Sequence, residues 1–181
     1  MAFENFQFML EFYTDPLSAH SDDPAVREIL KLLKQRSFSP FERSINVRMV
    51  DAGSPNDVEL EEGLMMSPVV DAERFGVHFV ASPRHADVLL VSGPVTKNMH
   101  DALKKTYEAM AEPRAVVAAG DGACDGWGKG NYALAGGNGK VSDVIPVDVQ
   151  VAGNPPTPYQ LLLGILKAGP ILAKKSRAKK A

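Results

Sequence analysis

The residues best placed to do chemistry lie in Gly120-Asp121-Gly122-Ala123-Cys124-Asp125-Gly126, directly after the apolar run Arg114–Ala119. Glycines that follow a buried strand let backbone approach a phosphate, as in dinucleotide-binding turns. Two features argue against that use. No regular helical pattern follows, because Trp127–Gly139 contains five glycines, and no acidic residue stands at the end of a following strand where a ribose would sit. The loop reads better as compact backbone that passes close to something bulky. Cys124 needs a nearby base to act as a nucleophile, and none of His20, His78, His85 or His100 stands in a motif that pairs with it. A small buried thiol is the expectation. The histidines show no i, i+4 spacing, so no metal-ligand set emerges. Arg84, in Ser82-Pro83-Arg84-His85-Ala86-Asp87, sits at a strand end. Its guanidinium serves either a buried partner or ligand, or an ordinary salt bridge to Asp87. No catalytic residue is assigned.

Composition narrows the classes. The chain has 181 residues, 20 Lys+Arg against 22 Asp+Glu, and a formal charge of -2. With 45% hydrophobic and 23% charged residues it is an ordinary globular sequence of one-domain size. No stretch approaches the roughly 20 apolar residues that cross a bilayer, and no signal-peptide pattern is visible. A single cysteine excludes an internal disulfide, a zinc site of several thiolates and a cysteine-ligated iron–sulfur cluster. The last eight residues hold Lys174, Lys175, Arg177, Lys179 and Lys180, leaving 15 cations against 22 anions in the body. A solvated, disordered basic tail is expected, with contact to anionic lipid or an acidic neighbour as its functional use. The body has no basic stripe with interleaved aromatics, so nucleic acid is not expected as a partner.

The elements that must position these residues are legible from periodicity. Residues 1–43 form an N-terminal arm and helix. Phe3, Phe6, Phe8, Phe12 and Tyr13 crowd five of thirteen aromatics near the free end, a surface that suits a partner. From Pro24, Val26, Ile29, Leu30 and Leu33 recur at helical spacing, with Asp22 or Asp23 as N-cap. The body, 44–168, begins with a strand through Ile45, Val47 and Met49. It continues with a short helix at Leu60–Met66 and strands at Val77–Ala81 and Val88–Val91. A helix from Thr96 to Met110, strands at Arg114–Ala119 and Val144–Val149, and a helix from Pro158 to Leu166 complete it. The basic tail spans 169–181. Alternating apolar strands and helices predict a parallel sheet covered on both faces, with sites at the carboxyl ends of its strands.

Two stretches carry a resemblance. They are Phe79-Val80-Ala81-Ser82-Pro83-Arg84-His85-Ala86-Asp87-Val88-Leu89-Leu90-Val91-Ser92-Gly93-Pro94-Val95-Thr96, and Ile145-Pro146-Val147-Asp148-Val149 followed by Val151–Pro158. Over residues 44–168 the chain resembles the small, cluster-bearing subunit shared by respiratory complex I and the membrane-bound, energy-converting nickel–iron hydrogenases. Asp71–Gly76 leans towards the hydrogenase branch. The resemblance implies a flavodoxin-like α/β fold holding one 4Fe–4S cluster on four cysteines. Two come from a Cys-x-x-Cys turn after the first strand, one from the glycine-rich loop and one from a Gly-Cys-Pro-Pro turn. Here the first turn reads Gly53-Ser54-Pro55-Asn56-Asp57-Val58-Glu59, shortened by two residues. Gly122 takes the place of the loop cysteine, and the last turn reads Gly153-Asn154-Pro155-Pro156. Pro55, Asn56, Gly122 and Asn154 are thus vestigial cluster positions, and Asn154 in such a pocket would need hydrogen-bond partners.

Asn, Gly and Pro cannot replace thiolates. The expectation is therefore no cofactor, the family's 4Fe–4S cluster being absent. The chain would be a structural subunit and no enzyme by itself, docking a large hydrogenase-like or quinone-oxidoreductase subunit to membrane-arm subunits, with a ferredoxin-like subunit as a further neighbour. It would lie peripherally on the cytoplasmic side of the inner or plasma membrane. Two alternatives remain: a subunit of an active quinone oxidoreductase or hydrogenase whose electrons travel through other subunits, and a flavodoxin-like protein that binds a nucleotide or other small molecule.

Overall fold

The computed structural model describes residues 22–35, 44–128, 130–131 and 133–180. The aromatic arm, including Phe6, Phe8 and Phe12, lies outside the described residues. Five strands, β1 (Ile45–Asp51), β2 (Val77–Phe79), β3 (Val88–Ser92), β4 (Ala115–Ala119) and β5 (Val149–Val151), form one sheet in the order β2-β1-β3-β4-β5. Every pairing is parallel, in a register that aligns Val47 with Val88, Val88 with Ala115 and Val117 with Val149. This is the flavodoxin-like arrangement, and its strand order reverses between β1 and β3.

The helices divide between the two faces because alternate strand residues point oppositely. Val47, Leu90 and Val117 face a core completed by α1 (Pro24–Gln35), α2 (Asp57–Met65) and α5 (Pro158–Lys180). Leu89, Val91 and Val116 face the other core, closed by α3 (Lys97–Ala109) and the 135–147 loop. All residues of β3 and β4 are buried, as apolar runs covered on both faces require. Asp23 caps α1, its Oδ1 accepting from Ala25 N at 2.8 Å. Thr96 caps α3 by accepting from Met99 N at 3.4 Å. Thr157 and Gln160 cap α5 reciprocally, Thr157 Oγ1 accepting from Gln160 N and Gln160 Oε1 from Thr157 N.

Three expectations need correction. The last strand is Val149–Val151; Val141–Ile145 instead turns back through Ile145 N to Val141 O at 3.0 Å, so Val144, Ile145 and Val147 fill the second core. The closing helix does not stop at Leu166 but runs to Lys180, across the 168/169 boundary. The basic segment is therefore helical, with two cations tied to the body. Lys175 Nζ lies 2.7 Å from Asp148 and donates to Arg114 O at 2.9 Å, and Lys179 Nζ lies 3.2 Å from Glu112. Residues four apart share a helix face, and cations in the last turns also complement the helix dipole. Gly164 lets α5 lie close on the sheet, because a side chain there would collide with Val151 Cγ2.

Candidate functional site

Four loops meet at the carboxyl ends of β1, β3, β4 and β5. Asp51 Oδ1 accepts from both Gly53 N and Ser54 N at 2.8 Å, folding the first turn tightly. Asn56, at φ 73, then turns the chain into α2. Gly93 is packed so closely on Ser54 that a Cβ would overlap its backbone. Gly120 lies beneath Val58, and Asp121 N donates to Gly153 O at 2.9 Å while Gly153 N donates to Asp121 Oδ1 at 2.7 Å. The loops bearing Pro55, Asn56, Gly122 and Asn154 are thus joined edge to edge.

The residue types at those positions do not fit an iron–sulfur cluster. None offers a thiolate, and proline and glycine offer no side-chain donor. Gly122 is buried, and a Cβ there would lie 2.9 Å from Pro94 Cδ and 3.2 Å from Trp127 Nε1. Even a cysteine at 122 would need Pro94 or Trp127 to shift. Pro55, Asn56 and Asn154 are exposed, so water satisfies Asn154 and the buried amide expected from sequence does not arise. Cys124 is buried, with Sγ donating to Ala118 O at 3.6 Å, and burial raises its thiol above the ordinary range. It is a small buried thiol, as the sequence suggests.

The other candidates separate. Arg84 is exposed; it forms no ion pair with Asp87, whose Oδ2 accepts from Asn46 N at 2.9 Å. His100 Nδ1 contacts Asp101 Oδ1 at 2.9 Å, and no group of three or more potential metal ligands occurs among the described residues. After β4 comes only α4 (Asp121–Cys124), four residues long, too short to present a helix N-terminus to a dinucleotide.

Sequence reasoning missed an acidic network beside the first turn. Glu59 Oε2 accepts from Ser54 Oγ at 2.6 Å, and Glu59 Oε1 accepts a short bond from Ser92 Oγ. Ser54 Oγ also lies 3.1 Å from Asp57 Oδ1. Three residues after Glu59, Glu62 is completely buried, and neither carboxylate oxygen has a hydrogen-bond partner. Burial, then the charges of Glu59 and Asp51, push its carboxyl up to about 8. The signal was present in sequence: Val58, Glu62 and Met65 stand at i, i+4, i+7, so a glutamate occupies a core position of the helix. The outer side of the same segment is apolar, with Leu60 65%, Leu64 50%, Met66 58% and Val69 65% exposed.

Comparison with known proteins agrees with this fold. The sequence profile of the NADH ubiquinone oxidoreductase 20 kDa subunit matches residues 54–168. The chain is 44% identical to a probable membrane-bound hydrogenase subunit, mbhJ, of Pyrococcus furiosus, over 82% of this chain and 84% of that protein. It is 36% identical to formate hydrogenlyase subunit 7 of Escherichia coli, over 85% and 60%. Among solved structures, a chain of the membrane-bound sulfane sulfur reductase, an archaeal respiratory membrane complex, aligns with TM-score 0.61 and 27% identity, covering 81% of this chain and 76% of that one. A [NiFeSe] hydrogenase of Desulfovibrio vulgaris shares the fold at TM-score 0.51 and 19% identity, over 72% and 61%.

Proposed function

The chain belongs to the family of the NADH ubiquinone oxidoreductase 20 kDa subunit, and on that premise we propose that it is a structural small subunit with no electron relay of its own. The observation that carries this reading is the set of joined loops whose four cluster positions are Pro55, Asn56, Gly122 and Asn154, with Gly122 closed over by Pro94 and Trp127. The loops that the resemblance places around a cluster are hydrogen-bonded to one another here and carry no sulfur ligand at those four positions. What the family scaffold still offers is surface. The relatives that match over most of the chain are named as subunits of membrane-bound hydrogenase and formate hydrogenlyase, and we assign this chain the same kind of place. It docks a large hydrogenase-like subunit to membrane-arm subunits from the cytoplasmic side.

Two features support docking. The segment from α2 to the turn after it presents Leu60, Leu64, Met66 and Val69 to solvent, large apolar side chains of the kind that mark interfaces. No helix among the described residues is long and apolar enough to cross a membrane. At the end of α5, Lys174 and Arg177 stay exposed while Lys175 and Lys179 are paired. Affinity purification of the full chain from its native membranes tests the assignment. The large subunit and membrane subunits should co-purify at fixed stoichiometry. Recovery of the chain alone as a monomer would overturn it.

A further inference from the structure

The buried carboxyl of α2 has a use that the docking role does not explain. Glu62 is wholly shielded from solvent, and neither of its oxygens meets a donor among the described residues. Glu59 lies one turn earlier on the same helix, within the i, i+3 distance at which side chains meet. Both Glu59 oxygens are occupied by hydroxyls, from Ser92 and from Ser54. Ser54 Oγ reaches Asp57 Oδ1 as well, and a single hydroxyl proton cannot serve two carboxylates at once. Asp51 is already taken up by the N–H groups of Gly53 and Ser54. Asp57 Oδ1 also accepts from Val58 N at 2.9 Å, so Asp57 and Glu59 are both supplied and Glu62 alone is left without a donor. The cluster is one donor short.

Among the described residues no cation makes up the shortfall. On α5, which packs against α2, Lys167 pairs with Glu28, Lys175 with Asp148 and Lys179 with Glu112, while Lys174 and Arg177 are exposed. Arg74, in the turn after α2, donates to the carbonyls of Val69 and Val70 and pairs with Asp71. Arg48 on β1 leaves its own Nε buried without a partner, and the charges that act on Glu62 are those of Glu59 and Asp51, both negative. A bare carboxylate in such a site is strongly disfavoured, and a proton is the smallest ligand that neutralises it.

We propose that Glu62 and Glu59 form a proton-binding site, in which Glu62 holds one exchangeable proton and Glu59, Ser54 and Asp57 connect it to solvent. Neither Glu62 oxygen has a partner in this conformation, so release begins with rotation of the Glu62 side chain towards Glu59; the O–H bond of Glu62 then breaks as a new one forms on a Glu59 oxygen. Glu59 then passes a proton to the Ser54 oxygen as Ser54 gives its own to Asp57, and the half-buried Asp57 releases it to water. One proton leaves, one carboxylate charge appears on Glu62, and the intermediates are restored. Burial and the neighbouring negative charges hold the Glu62 carboxyl up to about 8, within reach of small changes in its surroundings.

Infrared spectroscopy of the full chain tests the site directly, and iron content does not move its readout. The wild type should show a protonated-carboxyl C=O band at pH 7 that shifts in D2O and titrates away near pH 8. Glu62→Gln should lack that band. In Glu59→Gln, which keeps Glu62, the band should remain and its titration midpoint should fall, since a repelling charge is gone. Absence of the band in the wild type at pH 7, or its survival in Glu62→Gln, overturns the proposal. If Glu62→Gln does not fold, an unchanged midpoint in Glu59→Gln overturns the coupled pair.

Discussion

Helices α2 and α3 begin a few residues beyond the carboxyl ends of neighbouring strands, yet they are built on opposite rules. In α3, Leu103 is buried, Met99 and Tyr107 pack beside it on the second core, and the charged residues face water. Thr96 caps its first turn. In α2, a glutamate faces inward while Leu60 and Leu64 face out, and its N-cap, Asn56, makes no side-chain capping bond. Helix α3 obeys the requirements of its own fold. Helix α2 gives up part of them, and such local violations are expected where a surface or a site has another task.

Substitutions can break that contrast or sharpen it. The largest effect should come from the outer face of α2: Leu60→Ser with Leu64→Ser should abolish co-purification of the large subunit. Each change should alter the stability of the isolated chain by less than about 0.5 kcal/mol, measured by urea unfolding. In α3 the balance reverses. Leu103→Ala, at a fully buried position, should cost about 2–5 kcal/mol in the same assay.

Glu62 supplies a third contrast, through pH. Its folded-state value, about 8, lies above the ordinary 4.5, so the folded chain binds more protons than the unfolded one between those values. Stability from the protonated carboxyl is full below about 4.5 and is lost as pH rises through about 8, at up to about 1.4 kcal/mol per pH unit. Glu62→Gln should flatten that slope, read as the unfolding midpoint between pH 5 and 8. The smallest effect is the cap of α3. Thr96→Ala should cost about 1 kcal/mol, seen as a lower midpoint with unchanged denaturant dependence.

Legibility followed the same division. The runs Val88–Val91 and Arg114–Ala119 are apolar because both faces of those strands are covered, so the centre of the parallel sheet could be read directly. The cap of α1 was narrowed to Asp22 or Asp23, of which Asp23 makes the bond, and Pro158's first-turn position was plain. The extent of α5 was not, because its last turns are held by Lys175 and Lys179 reaching Asp148 and Glu112, residues remote in sequence. Val144 and Ile145 looked like strand because a core-filling turn and a strand need the same apolar residues. At the site, the joined loops were foreseen from the resemblance to a cluster-bearing subunit. The acidic network was not foreseen: the spacing of Val58, Glu62 and Met65 carried its signal, but the depth of Glu62 follows only from the packing of α5 on α2.

The central claim is that these loops enclose no electron carrier. A cryo-EM map of the intact assembly tests it most directly, in the density between Pro55, Gly122 and Asn154. The account predicts protein and solvent there, with Pro94 and Trp127 closed over Gly122. Density of a cubane cluster between these loops, held by thiolates from a partner subunit, would contradict it.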